Sequence, residues 1–201
     1  MADGADSRVK DGVAWHIGSD GDVAWIRENT RGGVAISSAI PAVFDDYATL
    51  THPGELGVPR DHADEGEQDR ALLALLSAST PFQPWWLGYL ETGASDVVFW
   101  DAPKVTLYAG WQYVLVQAGP EQAGSWRPTA GWRNWKSTEL PELMFPADRS
   151  WLISTLWDDD WTCLGGPAPL IADLLADRTL GKRARRVTVD QDATPPGHTA
   201  R

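Results

Sequence analysis

Three consecutive aspartates, Asp158, Asp159 and Asp160, carry the side chains of this chain that could most directly bind a hard cation. Calcium and magnesium take carboxylate oxygens, but a site needs ligands that converge on one point. Consecutive side chains on a strand or turn point in different directions, and the register Asp-x-Asp-x-Asp-Gly is absent. The stretch therefore predicts an acidic hairpin turn, and we expect no bound metal and no cofactor.

The spacing of the other reactive residues does not indicate nucleophilic or phosphate-binding chemistry. Cys163, the only cysteine, has no base or cation beside it in the sequence, so we expect a buried and unreactive thiol. Gly165-Gly166-Pro167 lacks the longer glycine registers that hold phosphates and predicts a tight turn into a helix. No residue is therefore predicted to be catalytic. The four histidines have no metal-binding spacing: His16, His52, His62 and His198.

Three tryptophans in one stretch are each followed by a basic residue: Trp126-Arg127, Trp132-Arg133 and Trp135-Lys136. Tryptophan and arginine are enriched at the hot spots of protein interfaces, so the stretch predicts an interaction surface. The alternative is that the rings pack beneath their own loop with the cations stacked on them. The candidate binding residues are Trp126, Arg127, Trp132, Arg133 and Trp135 of this loop, Trp85 and Trp86 of a predicted strand, and Asp158, Asp159 and Asp160.

The charge balance limits the class of partner. A formal net charge of −11 argues against general binding of nucleic acid, whose affinity comes from Lys and Arg contacts to phosphates. It also argues against binding to anionic membrane surfaces, and it suits either a soluble protein that repels nucleic acid or one that engages a basic protein partner. Four basic residues between Lys182 and Arg186 indicate either a charge-guarded edge strand or a contact with an acidic partner. The polar start of the chain and the lack of a long apolar run predict a cytoplasmic protein.

The elements that must position these residues are predicted from apolar runs and turn residues. Residues 84–119 contain four strand-like runs with short breaks, which predict an antiparallel meander. A repeated Val-Ala-Trp predicts a hairpin of Val13–Ile17 with Val23–Ile26. Further strands are expected at 150–157, 161–164 and 185–189. The four runs of the meander are Trp85–Leu90, Val97–Trp100, Val105–Tyr108 and Tyr113–Val116.

Helices are predicted on both sides of these strands. Apolar residues three or four apart indicate a helix between Pro41 and Leu50, and a leucine-rich stretch indicates another over Asp64–Ala78. A third is expected after Gly166. We therefore predict an α+β fold, a single domain with a mainly antiparallel meander sheet flanked by two to three helices. The domain is placed at 12–189, between flexible tails at 1–11 and 190–201.

Two stretches carry a resemblance to known proteins. Residues 146–155 together with 161–166 resemble a segment of an uncharacterised actinobacterial protein family of unknown function, and 40–53 look like its early helix. The resemblance implies no activity and no site residues. The layout of an acidic, Trp-rich sheet with an early and a late helix is also similar to the SUKH superfamily. That similarity implies a cytosolic immunity protein that neutralises a toxin.

Three functions are compatible with these observations. The first is a non-enzymatic cytosolic protein-binding module, immunity-like if the SUKH resemblance applies, with a basic toxin as its partner. The second is a small-molecule or carbohydrate-binding protein or enzyme, with a cleft lined by Trp85, Trp86, Trp100 and Trp111. The third is a structural or assembly subunit that buries exposed aromatic side chains in an oligomer.

Overall fold

The computed structural model describes residues 6–53, 62–92, 97–127, 140–157 and 159–199, with the backbone alone over 62–65. Within these ranges the chain forms ten strands and four α-helices. The helices are α1 (Asp20–Asn29), α2 (His62–Ser79), α3 (Pro120–Ser125) and α4 (Ala168–Ala176). The strands are β1 (Ser7–Lys10), β2 (Val13–Ile17), β3 (Asp46–Thr51), β4 (Trp85–Leu90), β5 (Val105–Leu107), β6 (Trp111–Ala118), β7 (Leu143–Pro146), β8 (Leu152–Ser154), β9 (Trp161–Gly166) and β10 (Ala184–Val187).

All ten strands belong to one sheet, in the order β1-β2-β6-β4-β7-β8-β9-β3-β10, with β5 paired to β6. Each pairing is antiparallel. The prediction of a single α+β domain with a mainly antiparallel sheet is confirmed. The connectivity is less simple than the meander we expected, because β4 pairs with β6 and β7 rather than with the next run along the chain.

The sheet is buried on both faces, which explains why its central strands are apolar at successive positions. Trp85, Leu87 and Tyr89 pack on one face beneath α2 and α4. The neighbouring residues Trp86 and Leu90 pack on the other face beneath α1 and residues 36–40. Adjacent side chains of a strand alternate between faces. A continuous apolar run at 85–90 therefore supplies both cores.

Two predicted elements are wrong. Val23–Ile26 lies in α1, because Ser19 and Asp22 form a capping box that starts a helix where we expected a returning strand. The expected helix between Pro41 and Leu50 is replaced by β3, which pairs with β9 on one side and β10 on the other. Pairing on both sides outweighs the helical spacing of its apolar residues.

Three further segments differ from the expected organisation. Ser7–Lys10, placed in an N-terminal tail, form β1 and join β2 through Asp11 and Gly12, whose φ angles of 54° and 76° fit a two-residue hairpin turn. Residues 97–100 form a turn rather than a strand. Residues 141–148, where no strand was predicted, contain β7 in the middle of the sheet. No helix in the described ranges is long and apolar enough to cross a membrane.

Candidate binding groove

An open groove of about 410 Å³ lies beside β1. Apolar side chains dominate its lining, and two of them are unusually exposed for their type: Trp100 at 73% and Val9 at 72%. Large exposed apolar side chains gathered in one place mark interaction surfaces more often than single ones do. The groove is lined by Val9, Lys10, Val97, Val98, Phe99, Trp100, Asp101 and Trp126.

An aromatic cluster fixes the inner side of the groove. The Trp126 ring lies edge-to-face against Trp15 of β2, with ring centroids 4.9 Å apart, and against Phe99, with centroids 5.6 Å apart. Such arrangements of aromatic rings are favourable beyond the area they bury. Phe99 has a φ of 57°, a left-handed conformation that turns the chain here. Phe99 thus packs inward while its neighbour Trp100 is left in solvent.

The charged side chains around the groove already have carboxylate neighbours. Arg8 contacts Asp6, and its Nε lies 3.5 Å from an Asp101 carboxylate oxygen. The Lys10 Nζ lies 3.9 Å from Asp11. These pairs are partly exposed, so each contributes little to stability and can exchange partners at little cost. The groove therefore offers polar as well as apolar contacts, with Lys10 as its most loosely paired charge.

The predicted loop residues fall in two environments. Trp126 lines the groove, but Arg127 is turned into the protein and is buried. The Arg127 Nη2 donates to both carboxylate oxygens of Glu142, at 2.9 and 2.7 Å, and its Nη1 donates to the Leu140 carbonyl at 2.9 Å. The guanidinium also lies 5.1 Å from the centre of the Tyr89 ring. Trp132, Arg133, Trp135 and Asp158 lie outside the described residues.

The remaining predicted residues lie away from the groove. Trp85 is fully buried against Trp151, with ring centroids 4.9 Å apart, whereas Trp86 stacks on Phe145 on the opposite face of the sheet. Asp160 accepts a hydrogen bond at 2.7 Å from Nδ1 of His198, if that nitrogen carries the proton. Asp159 is half-buried beside it in the chain.

The four tryptophans proposed to line a cleft are not brought together. Trp85 and Trp86 belong to different cores. Trp111 packs near Trp157 at the edge of the second core, with ring centroids 6.3 Å apart. Trp100 alone of the four lines the groove.

A cluster of polar side chains is buried around Thr162, at the start of β9. The Thr162 hydroxyl lies 2.9 Å from Nε2 of His52 and 2.8 Å from the Thr155 hydroxyl. These groups and Gln68 line a cavity of about 10 Å³. A cavity of this size holds at most one water molecule, so the cluster has no room for an organic substrate.

Two further observations concern metal binding and the thiol. In the described ranges, no group of three or more His, Cys, Asp or Glu side chains is placed to hold a metal ion. Cys163 is buried, and burial raises the pKa of its thiol to about 12, with the charge of Asp159 adding to the effect. A thiol with that pKa is not a nucleophile at neutral pH.

Sequence reasoning missed most of the groove. Trp126 was a candidate, but Val9 was placed in a tail and Phe99 in a strand. The signal for β1 was present, because Asp11-Gly12 between valines is a strong hairpin pattern. No local pattern indicates that residues 9, 97–101 and 126 meet.

The fold and the groove together define a single-domain α+β protein with an apolar, aromatic surface groove beside an edge strand. Comparisons with protein-family models, curated proteins and solved structures find no match to this chain.

Proposed function

We propose that this chain is a non-enzymatic protein-binding module that holds a partner protein at the aromatic groove. The observation that carries the proposal is the 73% exposure of Trp100 beside the equally exposed Val9. Leaving an indole in water forgoes the free energy of its burial, which a partner surface recovers on binding. Tryptophan is also the residue most enriched at interface hot spots.

The shape of the groove favours a protein over a small ligand. Its volume of about 410 Å³ falls in the range of ligand pockets, but such pockets enclose most of the ligand and present a few convergent polar groups. Here the largest side chain, Trp100, projects into solvent. The polar side chains of the lining are Lys10 and Asp101, and Asp101 is engaged with Arg8.

The charge of the chain supports a basic partner. A net charge of −11 repels nucleic acid and speeds encounter with a positively charged protein. Together with the similarity to the SUKH superfamily, this leads us to propose toxin neutralisation in the cytoplasm as the specific role. A toxin gene next to the gene for this chain would be expected under that proposal, and its consistent absence would remove the reason for it.

The groove is tested by removing the exposed indole. The full chain and its Trp100→Ala variant are used to capture proteins from cells of the natural source, and the captured partner is then purified for affinity measurement. A hot-spot tryptophan contributes about 2 kcal/mol or more, so the Kd should rise by about thirtyfold or more.

The matched control is Val43→Ala, because Val43 is 58% exposed but does not line the groove. This variant should bind within about twofold of the parent chain. Equal affinity of the parent and Trp100→Ala chains for the partner would refute the groove as the binding site.

A further inference from the structure

Three strands of the described sheet have a neighbour on one side alone, β1, β5 and β10. A bare strand edge offers unpaired N–H and C=O groups to any extended chain, and proteins usually cover or cap it. Whether each of the three edges can pair with another chain therefore depends on what lies against it.

The edges of β5 and β10 are capped by the chain itself. Thr106 of β5 donates its N–H to the Asp20 carboxylate at 3.1 Å, and its C=O accepts from Arg27 at 3.4 Å. In β10, Ala184 donates its N–H to the Leu180 carbonyl at 2.9 Å, and Nη2 of Arg185 holds residues 192–194 nearby through their carbonyls at 3.1–3.2 Å. Each of these two strands thus has an outward main-chain group that the chain itself already engages.

The pairing of β1 fixes which of its main-chain groups face outward. Ile17 donates its N–H to the Asp6 carbonyl at 2.8 Å, which makes Asp6 and Ile17 a hydrogen-bonded pair. In an antiparallel ladder such pairs alternate with non-bonded ones, so Arg8 and Lys10 bond to β2 and the N–H and C=O groups of Ser7 and Val9 point away from it. The Ser7 carbonyl already accepts from Nη1 of Arg8 at 3.1 Å, whereas in the described part of the chain the Val9 main chain has no partner on that side.

We propose that the partner protein contributes an extended segment that pairs with β1 as an additional strand, with side chains of that segment entering the groove beside Trp100. This specifies the recognition mode of the proposed function and rests on it. The outward N–H and C=O of Val9 supply main-chain hydrogen bonds, and the exposed side chains of Val9 and Trp100 supply apolar contact in the groove. Strand addition of this kind takes affinity from the main chain and specificity from alternate side chains.

Charge excludes a second copy of this chain as the occupant. Antiparallel pairing of two β1 strands about Val9 would set Arg8 of each copy opposite Lys10 of the other, and like charges directly opposite destabilise a strand pair. Each copy also carries a net charge of −11.

The side chains of Arg8 and Lys10 also indicate which kind of segment pairs with β1. Arg8 and Lys10 lie on one face of β1 and favour a carboxylate on the facing side of the segment, whereas Val9 favours an apolar residue. This requirement concerns one segment of the partner and not its total charge.

The test removes the main-chain N–H of Val9, which points away from β2, and keeps those of Arg8 and Lys10, which bond to β2. Val9→Pro removes an N–H that faces away from β2, a position where an edge strand tolerates proline. Val9→Ala is the matched control, since it shortens the same side chain and keeps the amide. In the free Val9→Pro chain, slow amide exchange at Arg8 and Lys10 establishes that β1 remains paired.

The probe is an eight-residue peptide that alternates valine with aspartate, titrated at millimolar concentration and followed by amide NMR of the full chain. We expect shifts and slowed exchange at Ser7 and Val9, and a Kd about fivefold higher for Val9→Pro than for Val9→Ala, the worth of one main-chain hydrogen bond. The same peptide with lysine for aspartate should bind several-fold more weakly.

Failure of the aspartate peptide to shift Val9, or equal affinity of the two Val9 variants, overturns strand addition. The purified partner separates this failure from that of the proposed function. If Trp100→Ala loses the partner while Val9→Pro binds like Val9→Ala, the groove stands and strand addition is wrong. If Trp100→Ala binds normally, both proposals fail.

Discussion

The buried ion pair of Arg127 and Glu142 should be the most sensitive point of the fold to a single substitution. Both side chains are nearly enclosed, at 5% and 6% exposure, and joined at 2.7 Å. Replacing Arg127 by methionine keeps most of the side-chain volume but removes the two hydrogen bonds and the charge that the guanidinium supplies to the Glu142 carboxylate. Glu142 would then keep the N–H of Leu90, which donates to its Oε2 at 3.0 Å.

The expected loss is large because a buried carboxylate loses a two-point ion pair that solvent does not replace. Breaking such a pair from one side typically costs about 3–5 kcal/mol, a third or more of the stability of an ordinary domain. Arg127→Met combined with Glu142→Gln removes both charges, and the amide oxygen can still accept from Leu90. The double variant should therefore lose less, about 1–2 kcal/mol.

Urea unfolding followed by tryptophan fluorescence measures these differences in the free energy of unfolding. The parent chain, Arg127→Met, Glu142→Gln and the double variant together form a double-mutant cycle. The control is Arg27→Met, which breaks an exposed pair with Asp20 and should change the free energy of unfolding by less than about 1 kcal/mol. A loss below about 1 kcal/mol for Arg127→Met, or a double variant less stable than either single one, would refute the account of a buried and coupled pair.

Two further outcomes are expected from the core. Because burial raises the pKa of the Cys163 thiol to about 12, the folded protein should not react with Ellman's reagent at pH 8 and should react fully in guanidinium; rapid labelling of the native chain would contradict this. Gly165→Ala would place its Cβ 2.5 Å from Ile40 Cγ2 and 2.6 Å from Phe44 Cδ2, so thermal unfolding should show a loss of about 1–3 kcal/mol. Gly32→Ala, which meets no atom within 4 Å, should leave the midpoint nearly unchanged, and equal shifts for the two would refute the packing argument.

Sequence reasoning succeeded where one strong local pattern had one structural solution. The apolar run at 85–90 is β4, and the leucine-rich stretch after residue 62 is α2. Sequence reasoning failed where one pattern of apolar residues was compatible with two different structures. Ile40 and Phe44 keep the spacing expected of a helix, yet they close over Gly165 from outside the sheet while Tyr47 and Leu50 pair within it.

The candidate site likewise has a part that local sequence predicted and a part that it did not. The wealth of tryptophan and the acidic charge pointed to an interaction surface, and Trp126 is on the groove. Arg127, one residue further, is buried, because Leu140 and Glu142, 13 and 15 residues later in the chain, engage its guanidinium. Whether Trp126 or Arg127 lies in the groove or in the core depends on contacting residues that the local sequence does not identify.

The sequence by itself determined the α+β class and the apolar strands of the core, since these depend on residues close together in the chain. Tertiary structure alone decided that, among the described residues, the outward main chain of Val9 in β1 has no partner, and that Val9, Trp100 and Trp126 share one groove. Those facts depend on residues far apart in the chain, whose meeting is fixed by the pairing order of the sheet.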